Sequence, residues 1–166
     1  MNYIGSKLSL LEFLEKSIEK VVDKNSRVFC DLFAGTGAVG TYFKRKGYKV
    51  IANDIQYYSF VLNKQYIENH QHLKFTELTK ILPELNNIEI PERKNFVCDY
   101  LSNIKGKKGF IYNNYCSGGT KNQEFERQYF SDENGMRCDA IRIKIEEWKN
   151  ETLITDSEYY FLLATL

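Results

Sequence analysis

Asp31 closes a strand-like run and is followed by Phe33 and by glycines at 35, 37 and 40, in the segment DLFAGTGAVG. A second acid, Asp54, closes the next strand-like run in IANDI. Glycines at such a turn let the backbone come close to a ligand, and the N–H groups at the following helix start attract a negative group. The acid after the second strand can accept the hydroxyls of a ribose. Taken literally, GxGxxG fits a nicotinamide dinucleotide, and a turn needed only for tight strand-to-helix packing is the plain structural alternative. Asp31 separates these readings. A pyrophosphate would be repelled by an aspartate at the strand end, whereas S-adenosylmethionine offers an α-ammonium and a sulfonium that an aspartate attracts. DxFxGxG therefore suits S-adenosylmethionine, with the turn's N–H groups serving its carboxylate. Metal chemistry is not indicated. Cys30, Cys98, Cys116 and Cys138 lie far apart with no CxxC or Cys/His cluster, and read as reduced structural thiols.

The elements that must hold these residues follow from periodicity. Leu10, Leu11, Leu14, Ile18, Val21 and Val22 recur at helical spacing, predicting an amphipathic helix over 8–22 with Ser6 as its cap. SRVFCDLFAG reads as a strand, GAVGTYFKRKG as a helix ended by Gly47, and YKVIAND as a second strand, which begins an α/β sheet with parallel strands. Residues 56–82 predict one or two helices broken near His70 and His72, both surface residues, and 83–95 a loop or short insertion. NFVCDYLSNIKG fits helix or strand, and GFIYNNYCSGG runs from an apolar segment into a glycine pair. TKNQEFERQYFSDENGMR reads as irregular, and CDAIRIKIEEW as a helix with Ile141, Ile145 and Trp148 on one face. Thr155 and Glu158 form a capping box before a final apolar helix that reaches Leu166 without a stop signal. The expected organisation is an α/β part over 1–95 and a helical and loop segment over 96–166.

A chain of 166 residues suits one domain with a real core. Its net charge of +1 exerts no general pull on nucleic acid. Basic clumps at 44–49, at 105–108 and around Arg137, Arg142 and Lys144 are solvated faces unless other features say otherwise. With no apolar run of about 18 residues and no secretory pattern at MNYIGSK, a cytoplasmic location is expected.

YIGSK at 3–7, DLFAGTGAVG at 31–40 and NDI at 53–55 together resemble the N-terminal half of adenine-N6 DNA methyltransferases of the Dam-like, alpha-order group, FokI-type members in particular. GFIYNNYCSGG and RQYFSDENGMRCDAIR are similar to the segment that follows the cofactor half in that family and lies near its DNA-binding region. The resemblance implies an α/β fold with a Rossmann-like S-adenosylmethionine-dependent methyltransferase sheet, incomplete over these residues, and a mainly helical C-terminal segment. It implies S-adenosylmethionine as cofactor, held by Tyr3, Gly5 and Lys7, by Asp31, Phe33, Gly35 and Gly37, and by Asp54 on the ribose with Ile55 against the adenine. Asn113, Asn114, Tyr115, Ser117, Arg127 and Tyr129 are its candidates for contact with double-stranded DNA. Asp99 is left unassigned, because the family has a helix there.

Members of this family carry an acceptor motif of Asp, Asn or Ser followed by Pro-Pro and an aromatic, which holds and stacks on a flipped adenine. Pro83 and Pro91 are the only prolines here, so the motif is missing and no catalytic residue is assigned. In the alpha order the motif follows the target-recognition region. The expectation is a donor-side portion, inactive alone, whose acceptor half lies on the same or a second chain. The complete enzyme would transfer the methyl group by direct in-line displacement, without metal. Two other classes remain open: a non-catalytic S-adenosylmethionine-binding or partner module, and a nicotinamide-dependent oxidoreductase domain, for whose substrate part the chain has little room.

Overall fold

The computed structural model describes residues 7–166, which form two compact units that divide between His70 and Gln71. Tyr3, Gly5 and the expected cap Ser6 lie outside the described residues.

In the first unit a 3-10 turn, Lys7–Leu10, leads into α1, Leu11–Glu19. The helix is shorter than the periodic stretch that encodes it, and its N-cap is Leu10, which offers no side-chain acceptor. None of its residues is buried, and Leu10, Phe13 and the following Val21 are exposed. Leu11, Leu14 and Ile18 are half-buried, and polar contacts add to them: Glu15 accepts the Tyr42 hydroxyl at 2.5 Å and pairs with Lys46. β1 (Val28–Asp31) and β2 (Lys49–Ala52) form a parallel pair with Val28 opposite Lys49 and Asp31 opposite Ala52. The intervening helix α2, Ala38–Arg45, ends ahead of Gly47, whose φ of 88° suits a residue without Cβ.

Alternation sends Phe29 and Val50 to one face of the pair, where the Phe29 ring stacks on buried Phe43 of α2 at 4.1 Å. Val28, Cys30 and Ile51 are exposed on the other face. α3, Tyr57–Asn63, continues into a π-type turn, Lys64–Glu68, whose carbonyl at Ile67 accepts the Lys44 ammonium at 2.5 Å.

The second unit is helical. Beyond His70 the expected helix is replaced by irregular chain and a 3-10 turn, Glu77–Lys80; Phe75 takes a φ of 48°, and Leu73, Phe75, Leu78, Leu82 and Leu85 all enter the core. Residues 83–95 are not a loop. They hold a 3-10 turn, Pro83–Asn87, and the start of α4, Ile90–Ser102, where Pro91 stands in the first turn and therefore interrupts no helical hydrogen bond. NFVCDYLS is thus helical, and Asp99 lies on α4.

α5 (Phe110–Tyr115) and the four-residue α6 (Ser117–Thr120) follow, so the glycine pair is helical. After the irregular stretch 121–131 comes α7, Asp132–Asn150, which begins six residues earlier than the periodicity suggests because Ser131 caps it by accepting the N–H of Asn134 at 3.2 Å. α8, Asp156–Thr165, opens with the expected Thr155/Glu158 capping box. Buried Glu158 also accepts the backbone N–H of Phe75, fastening α8 to the chain before α4. Ile145 and Trp148 of α7, Val97 and Leu101 of α4 and Leu162 of α8 meet in one core, with Ile141 packed at its margin.

The chain is therefore a mixed α/β protein with many helices and, among the described residues, a sheet of two parallel strands. No described helix is long and apolar enough to cross a membrane.

Candidate cofactor site and nucleic-acid segment

The parallel pairing runs past the strand ends into the glycine turn. Asn53 N–H donates to Asp31 O at 2.8 Å, Ala34 N–H to Asn53 O at 3.0 Å, and the Asn53 amide to Leu32 O at 3.0 Å. Gly37 N–H closes on Ala34 O at 2.8 Å, so the chain reverses tightly and enters α2 with Gly37 as N-cap at φ 76°. Gly35 stands at φ 52°, and a Cβ there would meet nothing within 4 Å. This is the open side of the turn. Gly37 and Gly40 are packing glycines: a Cβ would lie 2.8 Å from Asn63 Oδ1 and 2.6 Å from Ile67 Cδ1 respectively.

The two acids differ in environment. Asp54 Oδ1 accepts Gln56 N–H at 2.9 Å and Oδ2 accepts Gly35 N–H at 2.8 Å. The N–H of Gln56, then that of Gly35, hold its carboxyl below the usual range. The Ser59 hydroxyl and the Ile55 N–H also favour its charged form. Asp31 Oδ2, in contrast, is buried with no hydrogen-bond partner among the described residues. A buried acceptor without a donor costs free energy that an incoming cationic donor would recover. The residues present thus fit S-adenosylmethionine: an unpartnered carboxylate oxygen for a positive group, a helix start for a negative one, and an acid already oriented beside the turn.

Lys7 donates its ammonium to Phe33 O at 3.1 Å, which ties the start of the Lys7–Leu10 turn to the glycine turn. Phe33 and Ile55 stand 80% and 95% exposed, unusual for large apolar side chains. Sequence reasoning missed Asn63. It is buried at the end of α3 and donates to Gly35 O at 3.2 Å and to Ser59 O at 2.7 Å. The available signal was the i,i+4 pair of polar residues, Ser59 and Asn63, inside the otherwise apolar run YYSFVLN.

In the second unit the six nucleic-acid candidates lie on α5, at the head of α6 and on the irregular stretch after it. Tyr115 and Tyr129 meet edge to face at 5.8 Å, Phe110 joins Tyr115 at 6.0 Å, and the Arg127 guanidinium donates to Asn114 O at 3.3 Å. Asn114, Tyr115, Arg127 and Tyr129 therefore share one surface; Asn113 is exposed on α5, where its carbonyl accepts the Gln123 amide at 3.2 Å, and Ser117 starts α6. This surface is held from beneath by two carboxylates of α7. Asp139, 4% exposed, accepts the N–H groups of Gly109 at 3.0 Å and of Ile111 and Tyr112 at 2.8 Å each, and Asp132 accepts that of Gly118 at 2.9 Å. Thr120 completes the frame, accepting Arg127 N–H at 2.8 Å and donating to Cys116 O. Among the described residues no cluster of His, Cys, Asp or Glu could hold a metal ion.

A strand, a glycine turn, a helix and a second parallel strand followed by an acid is the arrangement at which α/β proteins bind nucleotide-type ligands. Residues 3–166 match the family model of the D12 class N6 adenine-specific DNA methyltransferases, and the chain belongs to that family. It is 50% identical over 169 residues to the Type II methyltransferase M.NlaIII of Neisseria lactamica, all of this chain aligning with 44% of that protein. Type II methyltransferase M.FokI of Planomicrobium okeanokoites is 40% identical over 171 residues, with 24% of its length covered. Type II methyltransferase M.CviAII of Paramecium bursaria Chlorella virus 1 is 35% identical, with 44% covered. The chain thus spans less than half the length of these curated relatives. No solved structure matches it.

Proposed function

We propose that the chain is the donor-side, N-terminal part of a site-specific DNA adenine-N6 methyltransferase of the restriction-modification type, with S-adenosylmethionine as its cofactor. The observation that carries this reading is the buried Asp31 Oδ2, without a hydrogen-bond partner among the described residues, beside a turn whose open glycine is fixed by Asp54. Asp31 would take the positive end of the cofactor, the N–H groups at the start of α2 its carboxylate, and Asp54 its ribose hydroxyls. Phe33, Ile55, Lys7, Gly35, Gly37 and the N-terminal Tyr3 and Gly5 complete the site. When bound, the cofactor supplies an electrophilic methyl group on sulfur. The chain's own share is to orient that group and keep its charges paired.

The cofactor-binding part falls within 1–95, and 96–166 leads to the DNA-recognition region. Asn113, Asn114, Tyr115, Ser117, Arg127 and Tyr129 contact double-stranded DNA. The acceptor motif, which this sequence lacks, is supplied by a further segment on the same or a second chain, and the 166 residues alone transfer no methyl group.

Radiolabelled methyl transfer to duplex DNA tests this reading. The chain alone should label nothing, and mixing it with the separately produced C-terminal part of a close relative should label adenine N6. Labelling of DNA by the chain alone, or of cytosine by the reconstituted pair, would contradict it.

A further inference from the structure

Gly35 is gripped on both sides of its backbone. Its N–H goes to Asp54 Oδ2 at 2.8 Å and its carbonyl takes the Asn63 amide at 3.2 Å. Asn63 is 9% exposed, its second amide hydrogen bond goes to Ser59 O at 2.7 Å, and two carbonyl neighbours fix which end of the amide is nitrogen. Its Oδ1 then abuts Gly37, where a Cβ would sit 2.8 Å away. One side chain of α3 therefore holds Gly35 by a hydrogen bond and fills the space a Cβ on Gly37 would need, while its Oδ1 has no hydrogen-bond partner among the described residues.

We propose that Asn63 is a positioning residue for the amino-acid end of the methyl donor. It does not reach the ligand; it holds Gly35 at φ 52° so that the N–H groups at the start of α2 converge on one carboxylate. Without it the turn samples other conformations, and apparent affinity falls in proportion to the fraction that stays competent. This inference rests on the cofactor reading above. It adds a prediction that reading does not make: the damage should be confined to the ligand's amino-acid end.

The test is calorimetric titration of S-adenosylhomocysteine and of 5′-methylthioadenosine, which lacks the amino-acid carboxylate, into the wild-type chain, Asn63→Ser, Asn63→Ala and the packing control Val61→Ala. Loss of one hydrogen bond and of the turn's order should weaken S-adenosylhomocysteine about 10-fold in both Asn63 variants and methylthioadenosine less than about 2-fold. Val61→Ala, which opens a buried site on the same helix, should leave both affinities unchanged. Folded Asn63 variants that bind S-adenosylhomocysteine as the wild type does, or that lose both ligands equally, would overturn the proposal. A wild-type chain that binds neither ligand would overturn the cofactor reading and this inference with it.

Discussion

The carboxylate of Asp54 accepts the backbone N–H of Gly35 at 2.8 Å, so the acid two residues past β2 is built into the glycine turn that follows β1. An acid expected only to meet a ligand is also part of the frame that shapes the ligand's seat. Asp54 is held ionised by the N–H groups of Gln56 and Gly35, and its folded pKa lies below the ordinary 3.8. A lowered carboxyl pKa adds stability that is present above the ordinary value and is lost as pH falls through the folded one. The thermal midpoints of wild type and Asp54→Ala should therefore differ near neutral pH and converge as pH falls through the folded value of Asp54. A gap that persists in acid would show that the charge is irrelevant.

Asp31→Asn should separate stability from binding. Replacing a carboxylate whose buried oxygen has no donor among the described residues should leave the free chain as stable as wild type or more so, while S-adenosylhomocysteine binding weakens about 10- to 100-fold, the range for a charge-assisted hydrogen bond. Paired thermal and calorimetric titrations decide. Parallel losses in both would mean that Asp31 is a structural residue.

Asp139→Ala should destabilise the second unit by about 3 kcal/mol, because it strips acceptors from three N–H groups at the start of α5 and leaves some of them buried. Asp139→Asn, which keeps one acceptor oxygen, should cost less. Denaturant unfolding monitored at Trp148, in the core of this unit, reads both.

Thiol accessibility gives an independent test of the packing. Cys30 lies on the exposed sheet face and should react first with a thiol reagent, whereas Cys116 is fully buried, with its thiol pushed up by burial. Cys98, half-covered and also raised by burial, should be slow as well. Peptide mapping after brief labelling should find Cys30 modified and Cys116 untouched; early modification of Cys116 would place it wrongly in the core.

Much of this was legible in the residues. The two strands, α2 with its glycine stop and the Thr155/Glu158 capping box follow from period and cap chemistry, and these are local rules. The failures came where local rules compete with packing. Pro91 and its charged neighbours read as loop, yet proline in a first helical turn loses nothing, and the charges of PERK open α4. Leu73 to Leu82 looked helical by spacing, but Phe75 adopts a left-handed φ with its N–H held by Glu158, a partner 83 residues away that no local pattern reveals. Within the candidate site, the glycine turn and both acids carry a compact signature. Asn63 offers only its i,i+4 spacing from Ser59, because its role depends on the bond from α3 to Gly35 O, 28 residues upstream. Asp139 was equally hidden, a lone acid in a helix whose partners lie about 30 residues upstream.

The central claim is that the Asp31 turn takes S-adenosylmethionine chemistry and not a dinucleotide. Calorimetric titration of the chain with S-adenosylhomocysteine, beside an identical titration with NAD, tests it most directly. At about 100 times the dissociation constant, binding should add about 2.7 kcal/mol and raise the thermal midpoint by roughly 5 to 10 °C with S-adenosylhomocysteine, and NAD should do neither. Saturable binding of NAD with none of S-adenosylhomocysteine would contradict the account.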